Sequence, residues 1–430
     1  MQAHQHTDIS FAKHLDQTDT LVRYRKRFYI PEGTIYMDGN SLGLLSADAE
    51  ASLQRVLTEW RILGIRGWLE AQRPWFWFAE EVGNMAAPLV GAEPNELVLT
   101  GGTTVNIHAL VSTFYQPSGK RTKILADALN FPSDLYALQS QIRLKELDPQ
   151  KELVLVPGID GHTLDEDRIV SMMTDEVALV FLPSVLYASG QLLDLKYLAG
   201  EAHKRGISIG FDCSHSAGAV PHHFSEWDID FATFCGYKYL NGGPGCPAFI
   251  YINKKHFHRE PLMAGWFGFK KEKQFDMSPY FEHEQSAGGW QISSPGILGS
   301  ATMEGSLRMI EKAGIEPIRR KSLALTNYLI ALAKELLVDP PYNFSLATPE
   351  EEKRRGGHVA FYHPTEAWRI SEALKAHNII TDFRTPDIIR IAPVALYNTF
   401  EEVWRVAHAM KDIIDNEEYK KFNTVRKPVS

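Results

Sequence analysis

Between residues 95 and 252, short continuous apolar runs alternate with stretches of helical periodicity, a pattern that few folds accept. The runs occupy 96–99, 122–125, 153–156, 177–182, 207–211, 231–234 and 248–252. A strand without polar alternation is buried on both faces, so the pattern predicts an α/β domain with a mostly parallel seven-stranded sheet covered by helices. The helices between the runs are clearest at 106–115 and 195–205. In open sheets of this kind binding groups gather at the carboxyl ends of the strands, which is where a site is expected.

The rest of the chain frames that domain. At 430 residues, two or three domains are expected. Residues 1–45 form an N-terminal segment that ends in turn chemistry, Asp38-Gly39-Asn40 followed by Gly43. Helical spacing of Leu53, Val56, Leu57, Trp60 and Leu63 predicts a helix over 47–63. The aromatic cluster Trp68, Trp75, Phe76, Trp77 and Phe78 reads mainly as core, with Trp68, after Gly67 in what looks like a loop, as its site-lining member. The large domain is expected to span 46–295. A long helical stretch over 297–337, broken near Gly314, then leads into a small α+β domain within 296–430. There the pattern is strand 358–362, helix 367–375, strands 379–383 and 388–392, and helix 400–414. The polar run 348–357 reads as a solvated loop.

Composition narrows the function. A formal net charge of −8 argues against general affinity for nucleic acid. Three cysteines, Cys213, Cys235 and Cys246, have neither zinc-type spacing nor the density of a disulfide scaffold, and they suit a reducing compartment. Met1–Ser10 lacks an apolar signal-peptide core, and the most apolar run, 177–187, is too short to span a bilayer. A cytoplasmic protein with no membrane partner is expected.

Three stretches carry candidate chemistry. Thr100-Gly101-Gly102-Thr103-Thr104 follows a strand and opens a helix, where free amides and the helix dipole suit a phosphate; a plain helix cap is the competing reading. Asp212 ends an apolar strand, with His215 three residues on, and an ionised carboxylate there needs a cationic partner. Lys238 follows Asp212 by 26 residues, the span of one crossover and one strand, and lies between Tyr237 and Tyr239 ahead of a glycine-rich turn. Desolvation makes such a lysine a nucleophilic amine. A carboxylate, an imidazole and a lysine on adjacent strands match a pyridoxal phosphate site, in which Asp212 holds the ring nitrogen protonated and Lys238 forms the Schiff base.

Several motifs occur together in order: Asn40-Ser41-Leu42-Gly43-Leu44, Phe131-Pro132-Ser133-Asp134, Phe211-Asp212-X-X-His215, Tyr237-Lys238-Tyr239-Leu240-Asn241, Gly265-Trp266-Phe267-Gly268 and Arg390-Ile391-Ala392-Pro393. From about residue 36 to 412 the chain resembles the kynureninase family, pyridoxal-phosphate enzymes of the aspartate-aminotransferase fold. The Asp-X-X-His plus Lys combination is shared with related families such as cysteine desulfurases; Phe-Pro-Ser-Asp, Tyr-Lys-Tyr-Leu-Asn and Gly-Trp-Phe-Gly together are much more specific. The resemblance implies that Thr103 and Thr104 hold the phosphate, with Tyr237 and His215 close by. It implies that Phe131 stacks on the ring beside Pro132, Ser133 and Asp134. Trp266 and Ser294 would reach the neighbouring subunit's site in a homodimer. Arg390 would bind the substrate α-carboxylate, with Asn40, Ser41, Trp68 and Phe267 on the substrate side. Some relatives carry Asn at the Ser294 position. The position matched to Trp68 is a histidine in animal relatives favouring the 3-hydroxylated substrate, so tryptophan points to unsubstituted kynurenine. Ser184, offset by one residue from a family Ser or Thr, stays outside the expected site.

The implied reaction is hydrolysis of the Cβ–Cγ bond of L-kynurenine, or of 3-hydroxy-L-kynurenine, to L-alanine and anthranilate or its 3-hydroxy form. It would serve tryptophan degradation or NAD precursor synthesis, with Tyr237 as late proton donor. A cysteine-desulfurase-like lyase is the alternative, and it would need a mobile catalytic cysteine. A cofactor-dependent regulator would need a basic arm or helix-turn-helix segment that the sequence lacks.

Overall fold

The apolar runs form one seven-stranded sheet in the computed structural model, which describes residues 5–424; Met1–His4, part of the stretch read above for a leader, lie outside them. Its strands are β2 (Leu97–Thr100), β3 (Lys123–Asp127), β4 (Leu153–Val156), β5 (Val177–Pro183), β6 (Ser208–Asp212), β7 (Phe231–Cys235) and β8 (Ala248–Ile252). They lie in the order β2-β8-β7-β6-β5-β3-β4. The five central and distal strands are mutually parallel, whereas β8 runs antiparallel between β7 and β2. The short glycine-rich return after β7 leaves no length for a crossover helix, and antiparallel pairing is what a tight connection permits.

Helices cover both faces, including Thr103–Phe114, Pro132–Leu144 and Leu195–Lys204. The predicted 47–63 helix forms as Ala47–Leu63, with the Ser46 hydroxyl accepting from the Ala49 amide as its N-cap. It packs on the Ile297–Ala313 helix, and that helix is separated from Ile315–Leu336 at Gly314, as the sequence pattern required.

The C-terminal region forms a four-stranded antiparallel sheet of β9 (Ser345–Leu346), β10 (Val359–Tyr362), β12 (Asp382–Arg384) and β13 (Ile388–Ile391), ordered β12-β13-β10-β9. Helices Ala367–Ala376 and Phe400–Asp415 pack beside it. The run expected as one strand over 379–383 is split. Its first half, β11 (Ile379–Ile380), pairs in parallel with β1 (Ile35–Tyr36), while the second half joins β13. The 348–357 run is solvated only over 350–353, while Thr348 and residues 355–357 are buried. Arg355 is fully buried, donating to the Glu350 carbonyl at 2.6 Å and to Thr326 Oγ1 at 3.2 Å, while its own carbonyl accepts from Arg319 at 2.7 Å. With Asn327 Oδ1 also accepting from it, the guanidinium donates from all three of its nitrogens inside the protein, which is what lets that part of a polar run sink. No helix among the described residues is long and apolar enough to cross a membrane.

Candidate active site

The ends of β6 and β7 place the central groups. Asp212 closes β6, paired in register with Thr233 of β7, and its Oδ1 accepts from the Ser214 amide at 2.7 Å. That turn brings His215 under Lys238, whose Nζ lies 3.0 Å from His215 Nε2. His215 is buried, and burial together with the Lys238 charge holds its pKa well below the ordinary value, so the ring is neutral. Lys238 Nζ also stands 6.0 Å from the centroid of the Tyr237 ring.

A second carboxyl group belongs to this centre. Asp134, in the first turn of the Pro132–Leu144 helix, is buried; burial first, and then the neighbouring Asp212 charge, raise its pKa well above the usual range. Asp127, at the end of β3, is also raised, to about 7, by burial. Sequence reasoning missed Asp127, although its signal was the one that found Asp212: a carboxylate closing an apolar strand.

The anion end is built at the start of the Thr103–Phe114 helix. No side chain caps that terminus. The buried Thr103 Oγ1 has no partner among the described residues, and Thr104 Oγ1 lies 2.6 Å from Ser133 Oγ. That contact ties the helix start to Ser133, next to Pro132 at the first position of the neighbouring helix. Phe131, exposed just before it, meets Tyr187 edge-on at 5.2 Å.

The substrate-side residues fall in two groups. Arg390 on β13 is buried, donating from Nε to Asp382 Oδ2 at 2.6 Å, from Nη1 to the Tyr187 carbonyl at 2.6 Å and from Nη2 to Ser41 Oγ at 3.1 Å. Asn40 beside it is buried, with both amide atoms unpartnered among the described residues. The turn holding Asn40 and Ser41 rests on the lysine loop, where the Gly43 amide donates to the Tyr237 carbonyl at 2.8 Å. Asp382 and Tyr187 carried no sequence signal, because their partner Arg390 reaches them only through the tertiary fold. Asp38, just before this turn, is pushed to about 6 by burial and then by Asp382.

Trp68, Trp266, Phe267 and Ser294 form the other group, lining a largely apolar cavity of about 520 Å³ with Phe76 and Phe275. Trp68 is helical, within Gly67–Glu70, where a loop was expected; it packs on Trp75 and on Phe267 at centroid distances of 6.1 and 5.8 Å. Stacking among bulky rings fixes that turn where the preceding glycine suggested looseness. Trp75, Phe76 and Phe78 are core, as expected for the cluster, whereas Trp77 is exposed. Ser184, left outside the expected site, is engaged by Ser216 Oγ at 2.6 Å and the Asp212 carbonyl at 3.2 Å.

Residues 318–410 match the family model for the kynureninase C-terminal domain. A kynureninase from Geobacillus thermodenitrificans (strain NG80-2) is 54% identical over 422 residues, covering 98% of each chain. One from Shouchella clausii (strain KSM-K16) is 51% identical over 420 residues, covering 98% of this chain and 97% of its own. The chain belongs to the kynureninase family. Solved structures with the same fold include a cysteine desulfurase from Thermococcus onnurineus NA1, with a TM-score of 0.78 and 21% identity over 92% of this chain and 98% of its own. Another is a variant of C-DES with glycine covalently linked to its PLP cofactor, with a TM-score of 0.79 and 16% identity over 90% and 99% of the two chains. The architecture is therefore that of fold type I pyridoxal phosphate enzymes, with kynureninase sequence motifs laid on it.

Whether the residues present suit that cofactor can be read from their chemistry. Asp134 has two other carboxyl groups, Asp212 and Asp127, and a single cation, Lys238, acting on it, so the centre accepts a further positive group such as a protonated ring nitrogen. The uncapped helix terminus with the unpartnered Thr103 hydroxyl suits a phosphate. The residues fit.

Proposed function

We propose that this kynureninase-family chain hydrolyses the Cβ–Cγ bond of L-kynurenine, and of its 3-hydroxy form, to L-alanine and the corresponding anthranilate, with pyridoxal phosphate bound through Lys238. The observation that carries the proposal is the amine of Lys238 held 3.0 Å from a neutral His215, beside Asp212 at the strand ends.

Thr103, Thr104 and the amides of their helix start would hold the phosphate, Phe131 would cover the ring, and Pro132, Ser133 and Asp134 would line it. Asp212 would keep the ring nitrogen protonated, and the cofactor would supply the electron sink for the pair left at Cα. Lys238 Nζ, once free, takes the Cα proton; His215 Nε2, neutral, accepts a hydrogen bond from it and keeps it aimed. Arg390 receives the α-carboxylate on its Nη1 and Nη2 edge, in place of the Ser41 hydroxyl. Asn40 and Ser41 orient the γ-carbonyl. One water is consumed: its oxygen joins Cγ as it gives up its protons, the Cβ–Cγ bond breaks, and the electron pair at Cβ is captured by a proton from Tyr237 Oη, which one of the water's protons replaces while Lys238 returns its proton to Cα. Burial and the adjacent Cys235 thiol push that phenol up, so it still carries its proton at neutral pH.

The same reading makes the protein a homodimer. Trp266 is 51% exposed, Phe275 69% and Ile65 80%, all around the cavity that holds Trp68, Phe267 and Ser294. An apolar surface of that kind is stable when a second copy covers it, and Trp266 and Ser294 then complete the partner's site. The large domain over 46–295 carries the cofactor and the small one over 296–430 the substrate arginine; location in the cytoplasm accords with three unpaired cysteines. The desulfurase alternative is disfavoured by those thiols, since all three are buried and burial raises Cys213 to about 12.

The test is release of anthranilate, read by its fluorescence, from kynurenine beside 3-hydroxykynurenine. Product from neither, with the yellow imine band present, would return the chain to the desulfurase class.

A further inference from the structure

His358 is a buried imidazole that the reaction above leaves unused. It stands immediately before β10, and its ring lies edge-on to His215 with centroids 5.9 Å apart. The residue is fully buried, yet neither ring nitrogen has a hydrogen-bond partner among the described residues, and the same holds for His215 Nδ1. Three unpaired buried nitrogens in two touching rings are costly unless they serve one another. The Ala188 carbonyl lies beside His358, close enough to favour its protonated form but outside good hydrogen-bond geometry.

The packing holds the ring there. Gly190, at φ +77°, passes so close that a Cβ on it would stand 2.9 Å from the His358 carbonyl oxygen and 3.1 Å from its Nε2. The Gly190 carbonyl in turn accepts from the Gly356 amide at 2.8 Å. The segment after β5 and the start of β10 therefore clamp His358 against His215.

We propose that His358 is a positioning residue that fixes the tautomer of His215. Lys238, donating to His215 Nε2, requires the His215 proton to sit on Nδ1. That Nδ1–H must find an acceptor inside the protein, and His358 is the neighbour that can supply one. The ring separation is closed by a small rotation of His358 or by one bridging water, and either leaves Nδ1 the donor. His358 then hands its own proton toward the Ala188 carbonyl. The chain runs from the Lys238 ammonium to His215, to His358, to the main chain, so an aimed base is oriented by a third group. Burial, then the positive groups Lys238 and Arg390, disfavour charge on both rings, which keeps each a one-donor, one-acceptor link. The charged groups acting on this pair are Lys238, Arg384 and Arg390; around Lys238 itself stand Asp134 and the neutral Tyr237 and Cys235.

This rests on Lys238 being the reacting amine, and its test separates the two claims. In the full-length chain labelled with ¹⁵N-histidine, His215 is assigned by its loss in His215→Asn, and its ring shifts report which nitrogen is protonated. The expected result is Nδ1–H in the wild type; Nε2–H there overturns the proposal without any His358 variant. The chain is next freed of cofactor and given pyridoxal phosphate across a pH series, with imine formation followed by absorbance. His358→Leu should move that profile acidward by roughly 0.5–1 pH unit, the loss of one hydrogen bond to the ammonium. His358→Gln, which keeps an acceptor, should restore it. A folded Leu variant with the wild-type profile, or a Gln variant no better than Leu, refutes the role. If Leu does not fold, His358→Asn, too short to reach His215, takes its place. No imine band in the wild type would instead sink the assignment of Lys238.

Discussion

Gly43→Ala tests how the N-terminal turn is seated on the lysine loop. A Cβ at residue 43 would stand 2.3 Å from Asn241 Oδ1, 2.4 Å from the Lys238 carbonyl oxygen and 2.8 Å from Asn241 Cα. Carbon and oxygen touch comfortably at about 3.5 Å, so the turn must retreat by about 1 Å. Two of the three obstacles are main chain, which no rotamer change can clear. Overpacking of this kind costs about 1–3 kcal/mol of stability. The retreat carries Asn40 and Ser41 away from Lys238 and Arg390, and a 1 Å misplacement in a site costs about 100-fold in rate. The expected outcome is therefore a lower urea midpoint together with a kcat/KM for anthranilate release down by about two orders of magnitude. The control is Gly200→Ala in the Leu195–Lys204 helix, where an added Cβ meets nothing within 4 Å. It should gain about 0.5–1 kcal/mol with activity unchanged. A Gly43→Ala protein with wild-type midpoint and kcat/KM would show that the turn does not depend on this close approach.

Lys238→Ala should abolish the imine band and turnover while leaving thermal unfolding of the cofactor-free chain nearly unchanged; a retained band refutes the covalent assignment. Asp382→Ala leaves Arg390 buried without its carboxylate and should cost about 3–5 kcal/mol in denaturant unfolding, a loss under 1 kcal/mol arguing against that pairing. Asp127 has a folded pKa raised to about 7 from 3.8. Folding therefore takes up a proton between those values, and its contribution to cofactor-free stability is full below about pH 4 and lost as pH rises to about 7. The loss amounts to about 4 kcal/mol at most. Asp127→Asn should flatten that decline, and an unchanged pH–stability curve refutes it. Trp266→Ala should lower cofactor retention and weaken dimerisation measured by sedimentation, and it fails as a test of the shared site if both are untouched.

Much of the scaffold could be read before any coordinates, because buried parallel strands announce themselves as unbroken apolar runs. β4 and β8 fall where the pattern put them, and the other five strands of the large sheet are displaced by only a residue or two at an end. Asp212, His215 and Lys238 were legible because polar residues at the ends of such strands stand out. Asp127 stood out equally and was passed over. The burial of Arg355 was hidden because the run around it has the local composition of a loop; only its tertiary contacts with Thr326 and Asn327, and the Arg319 bond to its carbonyl, reveal otherwise. β1 and β9, at two residues each, are too short to generate periodicity. His358 lies in a glycine-flanked run, and its partner is 143 positions away in sequence, a distance no local pattern spans.

The short path from β1 to Gly43 has a consequence for how the site ages and adapts. β1 runs alongside β11, the Ala392 amide beyond Arg390 donates to the Met37 carbonyl at 2.8 Å, and six residues later the Gly43 amide grips Tyr237. Along the chain, Lys238 and Arg390 are separated by more than a hundred residues of helix, hinge and loop, each able to drift with sequence change or temperature. Across this tether they are separated by a handful. Insertions and substitutions in the long route can accumulate without altering the span between amine and guanidinium, whereas one residue gained or lost in the tether would alter it at once. The tolerance of the whole enzyme to change in its middle is thus underwritten by the intolerance of a few residues near its start.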